Sequence, residues 1–225
     1  MLLGSHSECI AVGEVDNVIG PERDRTWVED HYGRCTCGKC NFWPIVMETI
    51  DTDGATTLAD RYAAFLRTFA EFFPGKIPVD SSKHLDTYHA LASLSECTPI
   101  RITRDVRAWS VSVSGKVTAR KMLRWYKMNK RYDKALSHAV NIGYEPLALH
   151  TDEALSKLCE AVDLEYQPAM KEIHMSDSHI LVGNRMRTSG ALKIRYDSRW
   201  LAGASIWPAL LRPVMNYNRR RVYGL

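Results

Sequence analysis

Two short apolar runs, each ending in hydroxyl and basic residues, constrain this chain more than any other feature. The first closes as Val79-Asp80-Ser81-Ser82-Lys83; the second opens Arg101-Ile102-Thr103-Arg104-Asp105-Val106-Arg107 and continues to Ser112. An open α/β sheet presents ligand-binding groups in this way, at the carboxyl ends of its strands. A strand ending at Thr103 delivers Arg104 to the sheet edge. A helix starting near Asp105 presents free backbone N–H groups and a positive dipole end to an anion. Arg104 can grip a phosphate bidentately, and the Ser112 hydroxyl, two turns along, adds a donor. The competing reading is plainer: Asp105 caps the helix, and Arg101, Arg104 and Arg107 form a solvated face.

Helices and strands alternate along the chain. Residues 58–73 carry apolar side chains at helical spacing and stop at Pro74-Gly75. The pattern predicts a buried strand over 76–80, a helix over 84–93 and a strand over 100–103. A long helix follows from Val106 through Tyr126 and on toward His138, then a short strand over 141–144 and a helix capped by Thr151. Strands separated by helices predict an α/β fold, a mostly parallel sheet flanked by helices. With no repeat and no shift in composition, residues 1–225 read as a single domain.

At 225 residues, 45% hydrophobic and 25% charged, the chain has room for a real core. It contains no membrane-span-length apolar run and no basic-then-apolar leader, so a cytoplasmic location is expected. The net charge of +4 suits an anionic ligand without demanding nucleic acid, and Arg219-Arg220-Arg221 reads as a solvated tail. Three of the six cysteines crowd into Arg34-Cys35-Thr36-Cys37-Gly38-Lys39-Cys40, whereas Cys9, Cys97 and Cys159 have the apolar neighbours of core thiols. The crowded loop has three readings: a zinc site with His31 as fourth ligand, a redox-sensitive or disulfide-forming loop, or a reduced loop that packs.

Several segments together resemble the sulfotransferases that use 3′-phosphoadenosine 5′-phosphosulfate (PAPS), in their bacterial and tyrosylprotein-type branch. Arg104 and Ser112 have the spacing of that family's 3′-phosphate-binding pair. Gly13-Glu14, the Cys35-Thr36-Cys37-Gly38 and Phe42-Trp43 stretch, Gly143-Tyr144-Glu145-Pro146-Leu147, residues 179–187 and Asp197-Ser198-Arg199-Trp200 resemble further family segments in the same order. Pro146 stands where the family has Asp. The resemblance implies a P-loop nucleotide-binding architecture and transfer of a sulfuryl group from PAPS to a hydroxyl acceptor, leaving 3′-phosphoadenosine 5′-phosphate (PAP).

The resemblance gives Glu14 the role of general base. Lys83 or Ser82 is expected to stabilise the leaving phosphate, and Arg104 and Ser112, with Asn184 and Arg187, to bind the 3′ side of the nucleotide, a solvated loop being the other reading for Asn184 and Arg187; this assignment contains no metal. His179 and His84 read as structural. The family's Arg-Ser-Gly-Thr/Ser-Thr phosphate loop is not found in the sequence, and Met1 stands where the middle of the helix that follows that loop belongs. An amino-terminally truncated chain is therefore expected, the other reading being a variant that has lost the loop; under both, activity of the 225-residue form is in doubt. Two alternatives from other classes stay open: a non-catalytic homologue that binds nucleotide or a protein partner, and a zinc-stabilised interaction module.

Overall fold

A computed structural model describes residues 2–173, 178–183, 194–203 and 205–224. The chain forms two compact units, Met1–Cys97 with Gln167–Lys193, and Thr98–Tyr166 with Ile194–Leu225. The fold is α/β, and both sheets among the described residues are parallel. The strands pair as two separate two-stranded sheets, β1 with β2 in the first unit and β3 with β4 in the second.

In the first unit, strand β1 (Cys9–Gly13) leads through α1 (Asp16–Ile19), α2 (Arg25–His31), α3 (Phe42–Thr52) and α4 (Leu58–Phe72) to β2 (Ile77–Asp80) and α5 (Leu85–Ala92). Helix α4 begins at a capping box, in which the Thr57 hydroxyl accepts from the Asp60 amide and the Asp60 carboxylate from the Thr57 amide. It ends before Pro74-Gly75, where the periodicity stops. Its stripe of Tyr62, Phe65 and Phe69 buries against Phe42, Trp43, Val46, Met47 and Ile50 of α3. Phe65 stacks on Trp43 at 5.9 Å and meets Phe42 edge-on at 6.0 Å. Each such ring contributes roughly 1.5–3 kcal/mol by leaving water.

Strand β1 is buried and central. On one side it pairs with β2, Cys9 opposite Ile77; on the other, the His179 amide donates to the Ala11 carbonyl at 2.8 Å and the Glu14 amide to the Val182 carbonyl at 3.2 Å. Strand β2 is not the buried strand its sequence suggests, since Ile77 is exposed and its other three residues are half-buried. Pro78, which lacks an amide donor, suits that edge position.

In the second unit, β3 (Ile100–Thr103) leads through α6 (Val106–Ser114) and α7 (Ala119–Ala135) to β4 (Val140–Gly143), then α8 (Tyr144–Leu149) and α9 (Thr151–Glu160). Helices α10 (Trp207–Leu210) and α11 (Arg212–Asn218) precede a single π-helical turn at Arg219–Tyr223. The long helix expected from Val106 is broken. Gly115, at φ 73°, ends α6 in the left-handed conformation, and the Thr118 hydroxyl caps α7 by accepting from the Lys121 amide. Thr151 does not cap α9: it is the first helical residue, and its hydroxyl donates to the Leu147 carbonyl.

The basic carboxyl-terminal block is only in part the expected solvated tail. Arg219 and Arg220 are exposed, but half-buried Arg221 pairs with Asp133. Asp133 also binds buried Arg101 at 2.6 Å and accepts from the Tyr217 hydroxyl at 2.7 Å. Arg101 therefore belongs to a buried network and not to a solvated face. Val222 packs with Val106, Met122, Trp125, Val214 and Tyr217 in this unit's core. Its carbonyl lies where a Cβ on Gly143 would be, 1.9 Å away, so β4 has to end in glycine.

Candidate functional site

The carboxyl edge of the β1–β2 pair gathers polar groups from both strands. Gly13, at φ 79°, turns the chain out of β1, and a Cβ there would meet the Val182 carbonyl at 2.7 Å. The turn is followed by Glu14, whose carboxylate pairs with the Lys83 ammonium and accepts from Asn17 Nδ2 at 2.7 Å. The Glu14 side chain is largely enclosed, whereas Lys83 is 73% exposed on its flexible stem. Ser82 lies between them in sequence and is partly buried; its hydroxyl accepts from the Asp16 amide at 3.1 Å, and its amide donates to Asp80 at 2.7 Å. Three residues assigned from sequence, Glu14, Ser82 and Lys83, are thus brought together on one strand edge.

Asp80, Tyr62 and Asp16 support that edge, and sequence reasoning gave none of them a role. The Asp80 carboxylate accepts from the Val15 amide and from the Tyr62 hydroxyl, 3.3 and 2.8 Å away. Burial pushes the Asp80 acid up, and burial together with the Asp80 charge pushes the Tyr62 phenol up. Asp16 accepts from the Thr87 hydroxyl at 3.1 Å and contacts Nδ1 of the exposed His84 at 2.8 Å. The Val79-Asp80-Ser81-Ser82 run was the signal for Asp80; Tyr62 lay hidden inside a helix stripe.

The second unit's strand edge differs from its sequence reading. The amides at the start of α6 do not face outward for an anion. The Asp105 amide donates to both oxygens of buried Glu145, the Val106 amide to Asn218 Oδ1 at 2.8 Å, and the Arg107 amide to the Asp105 carboxylate at 2.8 Å. Asp105, fully buried, is the helix cap, and it also receives Arg107 Nε and Nη2, Asn218 Nδ2 and the Tyr223 hydroxyl. Burial alone would push Asp105 up, yet the Arg107 guanidinium and the Asn218 amide bring its carboxyl below the ordinary aspartate value. Glu145, by contrast, is pushed up by burial.

Arg104 does sit at the end of β3, as expected. Its Nη2 binds Asp197 at 2.7 Å and its guanidinium lies 5.0 Å from the Tyr144 ring centre, but its buried Nε–H has no partner among the described residues. Arg199 and Arg104 together hold Asp197 far below the usual carboxylate range. Ser112 is exposed near the end of α6. Asn184 and Arg187 lie outside the described residues.

The cysteine loop is a third cluster, in the first unit. Cys35, Cys37 and Cys40 converge with His179, all four ligand atoms within 4.8 Å of one another. His31, the fourth ligand expected from sequence, is elsewhere: its Nδ1 bonds the Trp27 carbonyl at 2.7 Å and its ring stacks on Trp27 at 3.9 Å. Proximity in sequence favoured His31, and nothing in the spacing pointed 139 residues ahead. Comparison with protein-family models, with curated proteins and with solved structures finds no match to this chain.

Proposed function

We propose that this chain is a PAPS-dependent sulfotransferase of P-loop nucleotide-binding architecture, acting on a hydroxyl acceptor. The observation that carries the proposal is the Glu14–Lys83 pair at the carboxyl edge of two parallel strands. Sulfuryl transfer needs a base for the acceptor proton and a cation for the oxygen left on the departing nucleotide, and this edge holds one of each.

In this reading the acceptor hydroxyl gives its proton to Glu14 as its oxygen bonds to sulfur. The bond from sulfur to the bridging phosphate oxygen breaks, and Lys83 meets the charge that remains on that oxygen. Asn17 keeps Glu14 oriented while Lys83, on its exposed stem, moves from the carboxylate to the phosphate. The Ser82 hydroxyl adds a donor to the same oxygen. The resemblance gives Arg104 and Ser112 the 3′-phosphate; the buried Arg104 Nε–H, without a partner among the described residues, is the donor this reading offers it.

Calorimetry on the 225-residue chain tests the reading. PAP should bind, and Arg104→Ala should weaken it by about 1.5–3 kcal/mol, the range for hydrogen bonds to charged groups. Adenosine 5′-phosphosulfate, which lacks the 3′-phosphate, should lose little. Equal losses for the two ligands would remove Arg104 from the donor site, and no binding of PAP would remove the function.

A further inference from the structure

We infer that Cys35, Cys37, Cys40 and His179 hold a structural zinc ion that fastens the 178–182 segment to the amino-terminal part of its unit. The inference is independent of the sulfuryl-transfer reading.

Distance is the first support. Cys35 Sγ and Cys37 Sγ are 3.5 Å apart, as are Cys40 Sγ and His179 Nδ1, with all four atoms inside a 4.8 Å span. Zinc bonds of roughly 2.3 Å to sulfur and 2.0 Å to nitrogen, at tetrahedral angles, put ligand atoms about 3.5–3.8 Å apart. The four groups therefore need only small adjustments to bind one ion.

The chemistry of the donor set is the second. Three sulfurs and an imidazole form the soft, borderline environment that selects zinc over the oxygen-seeking cations, and four protein ligands leave no open position. Such a site is structural rather than catalytic.

Preorganisation is the third. The histidine is carried to the loop by backbone contacts that do not involve the sulfurs. Its amide binds Ala11 and its carbonyl accepts from the Trp43 indole at 2.7 Å. Thr36, inside the cysteine loop, clamps the same segment: its amide donates to the Ile180 carbonyl, its hydroxyl donates to the Ser178 carbonyl at 2.8 Å, and it accepts from the Ile180 amide at 3.0 Å. Phe42 and Phe73 wall the imidazole at 5.6 and 4.9 Å. The ring is fixed while one nitrogen is aimed at Cys40. An ion here closes a loop of well over a hundred residues, where a cross-link removes most entropy from the unfolded chain.

The test is elemental analysis of the 225-residue protein produced with zinc supplied, combined with three variants. One zinc per chain is expected, with Cys35, Cys37 and Cys40 protected from alkylation until a chelator is added. His179→Phe keeps a ring among Phe42 and Phe73 but offers no ligand, and should weaken zinc binding on the order of a hundredfold or more. His179→Cys restores a fourth ligand and should keep the ion, which a purely packing role for the histidine would not predict. His31→Ala should keep it as well. Cobalt added to the metal-free protein should give the visible absorption of a tetrahedral thiolate site. A folded protein without zinc and without that absorption, a disulfide between Cys35 and Cys37 in the purified chain, or full zinc binding by His179→Phe would overturn the assignment.

Discussion

At the scale of single residues, Glu14 and Asp105 show how a carboxylate's surroundings decide its use. Glu14 has one cationic partner on a mobile stem and one amide, leaving it able to exchange partners. In the sulfuryl-transfer reading, Glu14→Gln should preserve PAP affinity and lower turnover by roughly 10²–10⁴-fold, the usual worth of a positioned base; a radiolabelled-donor assay decides it. Asp105 is the opposite case, closed in by Arg107, Asn218 and Tyr223. Asp105→Ala strands buried donors at a cost of about 1–3 kcal/mol each, measurable by urea denaturation. Because its folded-state acid is lowered from 3.8, its contribution is complete above that value and is lost as pH falls through the lower folded-state value. The acid limb of the wild-type stability curve should therefore be steeper than that of Asp105→Asn. Sequence showed Asp105 as a candidate cap but not its second role, because Asn218 and Tyr223 lie more than a hundred residues away.

At the scale of elements, what the sequence disclosed is what local chemistry controls. Helix α4 with its cap and stop, and β3 between Ile100 and Thr103, follow from periodicity and flanking breakers. The break between α6 and α7 was missed because apolar residues run across it, yet Gly115 and Thr118 are the C-terminal and N-terminal signals expected of two helices. Gly115→Ala should cost about 1 kcal/mol, since only the left-handed conformation is at stake and nothing lies within 4 Å of the new methyl. Gly143→Ala should cost more, about 1–3 kcal/mol or beyond, because the methyl would meet the Val222 carbonyl and the Pro146 ring. Comparing the two melting temperatures separates the cost of backbone conformation from that of steric overlap; equal shifts would mean that the carboxyl-terminal turn yields easily. The exposure of β2 was illegible for a different reason: a strand's neighbours are set by tertiary pairing, and only Pro78 hinted at an edge.

At the scale of the whole molecule, polar and charged side chains gather at the carboxyl ends of two small parallel sheets, Glu14, Ser82 and Lys83 on one and Arg104, Asp105 and Glu145 on the other. No helix among the described residues is long and apolar enough to cross a membrane. The partition into units could not be read from composition, because each is assembled from two stretches of chain with the other's stretch between them. That interleaving bears on the order of manufacture. A nascent chain emerging amino end first has the first ninety-seven residues of one unit outside the ribosome long before the Ser178–Val182 segment that lines β1 has been made. During that interval one edge of β1 and the ring cluster of Phe42 and Phe73 are bare, so the growing polypeptide passes through a stage that invites sticking or chaperone capture, and it reaches closure only once the Ser178–Val182 segment has been translated.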